Sequence, residues 1–402
     1  MKRTVKIILT FLLTIPFFQG CEKIGIDESV PQDTFTKEWY EIVSIDTVSN
    51  LTLAKEILGT KMLIGPDIVK VVFLYHSLSD TVTSTLSGSV CWPIDIPSCS
   101  HIWLENHITT LRKDQCPSQS IMPGMYQTSA DKAIYIGADF QGLGLSLDLP
   151  IPYFNTILLA DQSTDCFKAA FTILKEMGPS LTDDYQTYNF GYSLGGAVSL
   201  AVARRIERSP QLQKMMHLTR SYCGDGPYDQ VTMMEWFASR PDQELVYPAL
   251  FPCAVKSVLC SSPSFRAQYN ESDLLSVEFM NSGISTLIDS KDYTTAQICT
   301  MMLQAGIKTY RTVMSQALQQ DSSIVRTEFT NELEKLNLTT GWTPSVPILF
   351  FHALNDYVVP IECLERIKTN MPDNPNITYV VKNTGDHNSN GSEFYKIVFF
   401  GY

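Results

Sequence analysis

Apolar and polar positions along the 402-residue chain fall into two alternating periods. Runs rich in β-branched and aromatic residues cover 69–76 and 86–92, with the polar stretch 77–84 between them, and predict an antiparallel opening pair. Short apolar runs at 101–104 and 133–138 predict two more strands, joined by about thirty residues of loop, more than a plain connector needs. A helical period then covers about 160–177, followed by a strand at 185–190, a helix at 197–208 and a strand at 218–223. Strand and helix in alternation predict an α/β fold, a mostly parallel sheet covered on both faces. From 224 to about 340 the sheet signal stops. Met233, Met234, Trp236, Phe237, Phe251, Leu274, Phe279, Met301, Met302 and Leu303 fall in helical or irregular segments there. This stretch predicts an inserted, mainly helical cap in which those side chains serve packing. The sheet resumes with strands at 347–351 and 377–381, and a helix at 393–400 closes the chain. The core is thus expected in two parts, 41–223 and 341–402.

Composition narrows the class without naming a chemistry. Apolar residues make up 44% and charged residues 18%, which is globular, with no low-complexity tract or internal repeat. A net charge of −12 argues against nucleic acid as a partner, because binding a phosphate backbone needs a basic surface. At the N-terminus, Lys2, Arg3 and Lys6 precede an apolar run at 7–18 and then Gln19-Gly20-Cys21. The run is about twelve residues, short of the roughly twenty that span a bilayer, and predicts a cleaved export signal over 1–21. Its end resembles a bacterial lipoprotein signal, which implies that Cys21 is lipidated and that 22–40 tethers an exported domain to a membrane. The competing reading is an ordinary secretory signal with no role for Cys21. Which side of the envelope would carry the protein stays open. Of ten cysteines, the nine beyond Cys21 are an odd set; in an oxidising compartment some would pair, while buried reduced thiols are the competing expectation. No Cys-x-x-Cys or His-Glu-x-x-His spacing occurs and the six histidines are scattered, so no metal or other cofactor is expected.

The chemistry concentrates at Gly191-Tyr192-Ser193-Leu194-Gly195-Gly196, between a predicted strand and a predicted helix. A serine held between glycines at such a turn sits on strained backbone with its hydroxyl exposed, and Gly191 and Gly195 let strand and helix approach. A serine hydroxyl needs an imidazole to take its proton and a carboxylate to orient that imidazole. Asp356 follows the strand at 347–351 and His387 the strand at 377–381, in the order Ser, Asp, His that a nucleophile elbow uses. Each has a plainer competitor: Asp356 as a helix cap, His387 as a solvated loop residue. Asp225 and Asp229, after the strand at 218–223, are the alternative acids. Asp386 adjoins His387 in the chain, and an orienting carboxylate normally comes from another loop. His352 lies too near its strand end to reach Ser193 and is read as structural. An oxyanion would be held by the backbone N–H of Leu194, at the helix N-terminus, and by one from the loop at 106–109, assigned to Ile108.

With these residues assembled, the chain resembles the α/β-hydrolases, and more narrowly the secreted lipases and esterases with a helical lid. His107-Ile108-Thr109 is similar to that group's His-Gly-Thr turn, Cys116-Pro117-Ser118 to its Cys/Ala-Pro-Ser segment, and Asp139-Phe140-Gln141-Gly142-Leu143-Gly144 to its Asp-Tyr-x-Gly-Leu-Gly. The resemblance implies an exported serine hydrolase acting on small-molecule or lipid esters through an acyl-serine, without cofactors. Ile108 departs from the pattern: a β-branched residue there resists positive φ and crowds an incoming acyl group. Two other readings remain. One is a peptidase with the same machinery, which would need a group such as Glu235 or Glu244 to grip an amine; the other is a surface lipoprotein that binds a glycan or lipid without catalysis.

Overall fold

A computed structural model describes residues 38–58, 65–79 and 82–401 of the chain. The signal, Cys21 and nearly all of the tether lie outside the described residues. Nine strands form one sheet: β1 (Tyr40–Val48), β2 (Ile68–Ser79), β3 (Val82–Pro93), β4 (Ser98–Asn106), β5 (Ile134–Ala138), β6 (Ser180–Tyr192), β7 (Leu218–Gly224), β8 (Ile348–Ala353) and β9 (Ile377–Lys382). Their order is β1-β2-β3-β5-β4-β6-β7-β8-β9. β1, β2 and β3 pair antiparallel and β3 joins β5 antiparallel, whereas the pairings from β5 through β9 are parallel.

The parallel part is covered on both faces, and period-two alternation assigns each side chain to its layer. Phe350 packs with the large core cluster, under α3 (Thr156–Met177) and α4 (Leu194–Glu207), while its neighbour Phe351 packs on the opposite face against Phe394 of α17 (His387–Phe400). The short helices α1 (Asn50–Leu58) and α2 (Met125–Ala130) sit against each other, and α2 reaches β3 and β5. α5 (Pro210–Met216) leads into β7, and α16 (Glu362–Asn370) links β8 to β9.

Between β7 and β8 the described chain holds ten helices, α6 (Gln230–Ala238) to α15 (Ile324–Glu334), and no strand beyond two isolated bridges, Glu244 with Thr309 and Leu275 with Met314. Met233, Met234, Phe237, Phe279 and Met302 are buried there, the packing role expected of them; Leu303 is instead 44% exposed. All nine described cysteines are unpaired, and all but Cys260 are fully buried.

Several elements differ from the sequence pattern, and α1 and α5 are helices where none was expected. β1 is absent from that pattern, because as an edge strand it is only half-buried at Tyr40, Ile42 and Val48 and carries the apolar Val43 and Ile45 at exposed positions between them, which spoils its alternation. α2 lies within the stretch expected to be loop. α17 begins at His387 rather than at 393: Asp386 caps it through a reciprocal capping box with Ser389, and the Gly and Ser residues of its first turns hide the helical period.

Candidate active site

β6 ends at Tyr192, and Ser193 is the N-cap residue of α4 with φ 56° and ψ −124°. For a residue with a β-carbon such backbone costs about 1–3 kcal/mol and persists only when its surroundings hold it. Those surroundings are visible. Ser193 N–H donates to Gly224 O at 2.8 Å, tying the elbow to the end of β7. A β-carbon on Gly195 would lie 2.0 Å from Asn106 O, and one on Gly191 would lie 2.3 Å from Gly195 O, so only glycine lets β4, β6 and α4 converge here. Behind the elbow runs a buried polar network. Asn106 Nδ2 donates to Asn189 Oδ1 (2.7 Å) and Ser199 Oγ (3.0 Å), Asn189 Nδ2 to Ser199 O (2.8 Å) and Ser221 Oγ (3.0 Å), and Ser163 Oγ to Asn106 Oδ1 (2.8 Å). It joins β4, β6, β7, α3 and α4 in one set of satisfied bonds.

Asp356 lies past the end of β8 and is 3% exposed. Its Oδ1 accepts N–H donors from Val358 (2.7 Å) and Val359 (2.8 Å), which fix the carboxylate, and its Oδ2 lies 2.5 Å from His387 Nδ1. Burial alone would depress the His387 imidazole. The hydrogen bond and charge of Asp356, the largest of the opposing effects, outweigh burial and raise it above the ordinary histidine value. Nδ1 is thereby committed to the acid, and Nε2 is the nitrogen left for a substrate-side proton. Ser193 and His387 line the same cavity of about 810 Å³. No hydrogen bond joins Ser193 Oγ to the ring among the described residues, and such bonds are often long until substrate is bound.

That cavity is walled by both parts of the molecule. Ile108, Thr109 and Val358 come from the core, Tyr247, Leu250 and Ala296 from the helical segment. Tyr247 also donates to Asn388 Oδ1 at 2.6 Å, beside the histidine. Leu194 begins α4, and neither its backbone N–H nor those of Ile108 and Thr109 donate to a protein acceptor among the described residues. Ile108 does not adopt positive φ; its side chain is 47% exposed, so its effect is to crowd the cavity rather than to strain the loop. His107 braces that loop from behind, with Nδ1 2.7 Å from Ile108 O and Nε2 3.1 Å from Asp139 O. Asp139 in turn accepts from Ser118 N–H (2.7 Å) and Ser87 Oγ (2.5 Å), so the three loop motifs singled out in the sequence are one bonded unit.

The alternative acids separate clearly. Asp229 caps α6 through Thr232 N–H (2.9 Å) and lies 3.2 Å from Arg366 Nε. Asp386 is consumed as the cap of α17, whose N–H and hydroxyl donors from Ser389 hold its carboxyl below the usual range. Asp225 is different: it is wholly buried and belongs with Asp356 and His387, the three offering polar atoms within 4.8 Å of one another. Ala353 N–H, Tyr192 Oη, Val358 N–H and Val359 N–H engage its oxygens and those of Asp356, the pattern of a hydrogen-bonded network rather than of open ligands. His352 is fully buried with Nε2 3.0 Å from Val359 O, the structural place expected of it. Glu244 pairs with Lys308 at the surface, and neither it nor Glu235 lines the cavity. Sequence reasoning missed Tyr192 and Asn189. β6 carries many polar residues, so neither stood out by type; what marks them is burial near the strand's end, beside the elbow.

A mostly parallel sheet in this order, with a strained serine where its central strand turns into a helix and an acid–imidazole pair from the two following parallel strands, defines an α/β-hydrolase. The chain belongs to the secretory lipase family, whose model matches residues 160–392, from α3 into α17. A lipase is an ester hydrolase, and the family is an exported one. Among solved structures, the chain is similar to the rice cell wall degrading esterase LipA from Xanthomonas oryzae, with a TM-score of 0.72 and 17% identity, covering 92% of this chain and 96% of that one. It is also similar to Candida antarctica lipase A, with a TM-score of 0.59 and 12% identity over 86% and 77% of the two chains. At such identities the likeness speaks for the fold. No curated protein matches the chain in sequence.

Proposed function

We propose that this protein is an exported serine hydrolase of carboxylic esters. Ser193 Oγ attacks the ester carbonyl, His387 takes the proton and passes it to the leaving alcohol, Asp356 holds the imidazole, and water clears the acyl-serine by the same route in reverse. The backbone N–H groups of Leu194 and Ile108 receive the oxyanion, where the N-terminus of α4 favours negative charge. The observation that carries this reading is the 2.5 Å contact of Asp356 with His387 Nδ1 at the wall of the cavity that Ser193 also lines. Glu235 and Glu244, the acids considered for gripping a peptide amine, lie away from that cavity.

The test is turnover of nitrophenyl esters of increasing chain length, and of aminoacyl anilides, by wild type and Ser193→Ala. Ester turnover is expected to fall at least a thousandfold in the variant, as loss of a triad nucleophile does. Ester turnover that survives the substitution would sink the proposal, and anilide turnover that depends on Ser193 would move the activity to peptides. Attachment through a lipid on Cys21 belongs to the same reading. No described helix is long and apolar enough to cross a membrane. Cys21→Ala is expected to shift the protein from the membrane fraction to the soluble one.

A further inference from the structure

Tyr192 carries one hydroxyl proton and faces two oxygens. Its Oη lies 2.6 Å from the backbone carbonyl of His387 and makes a short contact with Asp225 Oδ2. A carbonyl only accepts, so the tyrosine proton belongs to His387 O. The contact with Asp225 then holds together only if the carboxyl brings a proton of its own. We propose that Asp225 is a neutral carboxylic acid in the resting protein, donating through Oδ2 to Tyr192 Oη, which in turn donates to His387 O, and that this chain makes Asp225 a positioning residue for the base.

A second observation agrees. His352 Nε2 faces Val359 O, which again only accepts, so that nitrogen carries a proton. Its Nδ1 is buried without a hydrogen-bond partner, 3.4 Å from Asp225 Oδ1, and Oδ1 accepts from Ala353 N–H at 2.8 Å. Every polar atom around Asp225 is satisfied by the neutral acid except that one nitrogen. The groups that face it are Tyr192 from β6, His352 from β8, Asp356 from the loop beyond β8 and His387 from α17. Burial, which dominates, and the nearby Asp356 carboxylate push the Asp225 carboxyl upward, and they outweigh the opposing pull of His352, His387 and the Tyr192 hydrogen bond.

Two consequences follow for His387. The donor from Tyr192 fixes the main-chain carbonyl at the first residue of α17, so the ring is held from its backbone as well as from Nδ1. A neutral Asp225 also leaves Asp356 as the single charge bonded to the imidazole. Two carboxylates there would hold the ring protonated further into the neutral range, where a base must be free.

The kinetic consequence rests on the serine-hydrolase reading above; the protonation does not, and an infrared difference spectrum tests it separately. Wild type minus Asp225→Asn at neutral pH should show a protonated-carboxyl C=O stretch; the difference isolates Asp225 from Glu105, another buried acid, which burial pushes up to about 8. A carboxylate stretch in its place would overturn the proposal, whether or not the protein turns over esters. In kinetics, Asp225→Ala should lower kcat about tenfold with little change in KM, and Asp225→Asn, whose amide donates to Tyr192 as the acid does, should restore most of it. The acid limb of the Asp225→Asn pH profile should coincide with that of wild type. A limb displaced downward by about one pH unit or more would mean that a negative charge had been removed, and would refute the neutral acid even if Asp225→Ala fails to fold.

Discussion

His387 is pulled two ways. Burial favours the neutral ring and Asp356 favours the charged one, and the balance lies above the ordinary histidine value. A general base works only when neutral, so kcat/KM for esters should fall as pH drops through a pKa above about 6.5, the unperturbed value. A pH–rate profile on the free enzyme measures it, and an acid limb well below 6.5 would contradict the Asp356 contact. Asp356→Asn should keep the fold and lower kcat by about 10⁴-fold, because an amide selects the wrong tautomer of the ring. At this scale the sequence was informative where chemistry demands a residue type. Ser193, Asp356 and His387 stood out because each follows a strand end and they come in the order Ser, Asp, His, an order that Asp225 and Asp229 also keep. Asp225 showed only as a spare acid, since its meaning comes from Tyr192 and His352, which join it through the fold and not through any spacing.

Elements explain how a strained serine is kept in place. The elbow is clamped in front by Gly191 and Gly195 meeting backbone carbonyls, and behind by the Asn106 and Asn189 amides. Asn189→Ala would leave the Asn106 amide and the Ser199 carbonyl short of partners in a dry interior, at about 2–4 kcal/mol for the lost and orphaned bonds. Urea unfolding should report that loss. Activity should fall by more than the unfolded fraction accounts for, because the elbow relaxes before the sheet does. The strands and helices of the parallel core were legible because each is buried on a defined face. β1 was not, being an edge strand with the apolar Val43 and Ile45 at exposed positions. The start of α17 was not, because its first turn is set by a capping box and not by apolar spacing.

At the scale of the whole molecule, the cavity that Ser193 lines lies between core and helical segment. Ala296, on α12 (Thr295–Gln304), is exposed and lines the cavity from the helical side, so a larger side chain there fills the cavity with little effect on packing. Ala296→Trp should lower kcat/KM for long-chain esters about tenfold relative to acetate esters while leaving Tm nearly unchanged, and chain-length profiles of the two proteins decide it. The helical character of this segment was legible as the loss of sheet signal, but the cavity it completes was not, since that depends on how α6 to α15 pack on each other. The same segment separates the parts of the site in time. Tyr192 and the carbonyl it bonds are 195 positions apart, and β7 can pair with β8 only after all the intervening helices have been made. A growing chain therefore carries its serine long before it carries a base. On the proposed mechanism the elbow is inert until His387 emerges, and esters in the compartment that makes the protein meet no working catalyst.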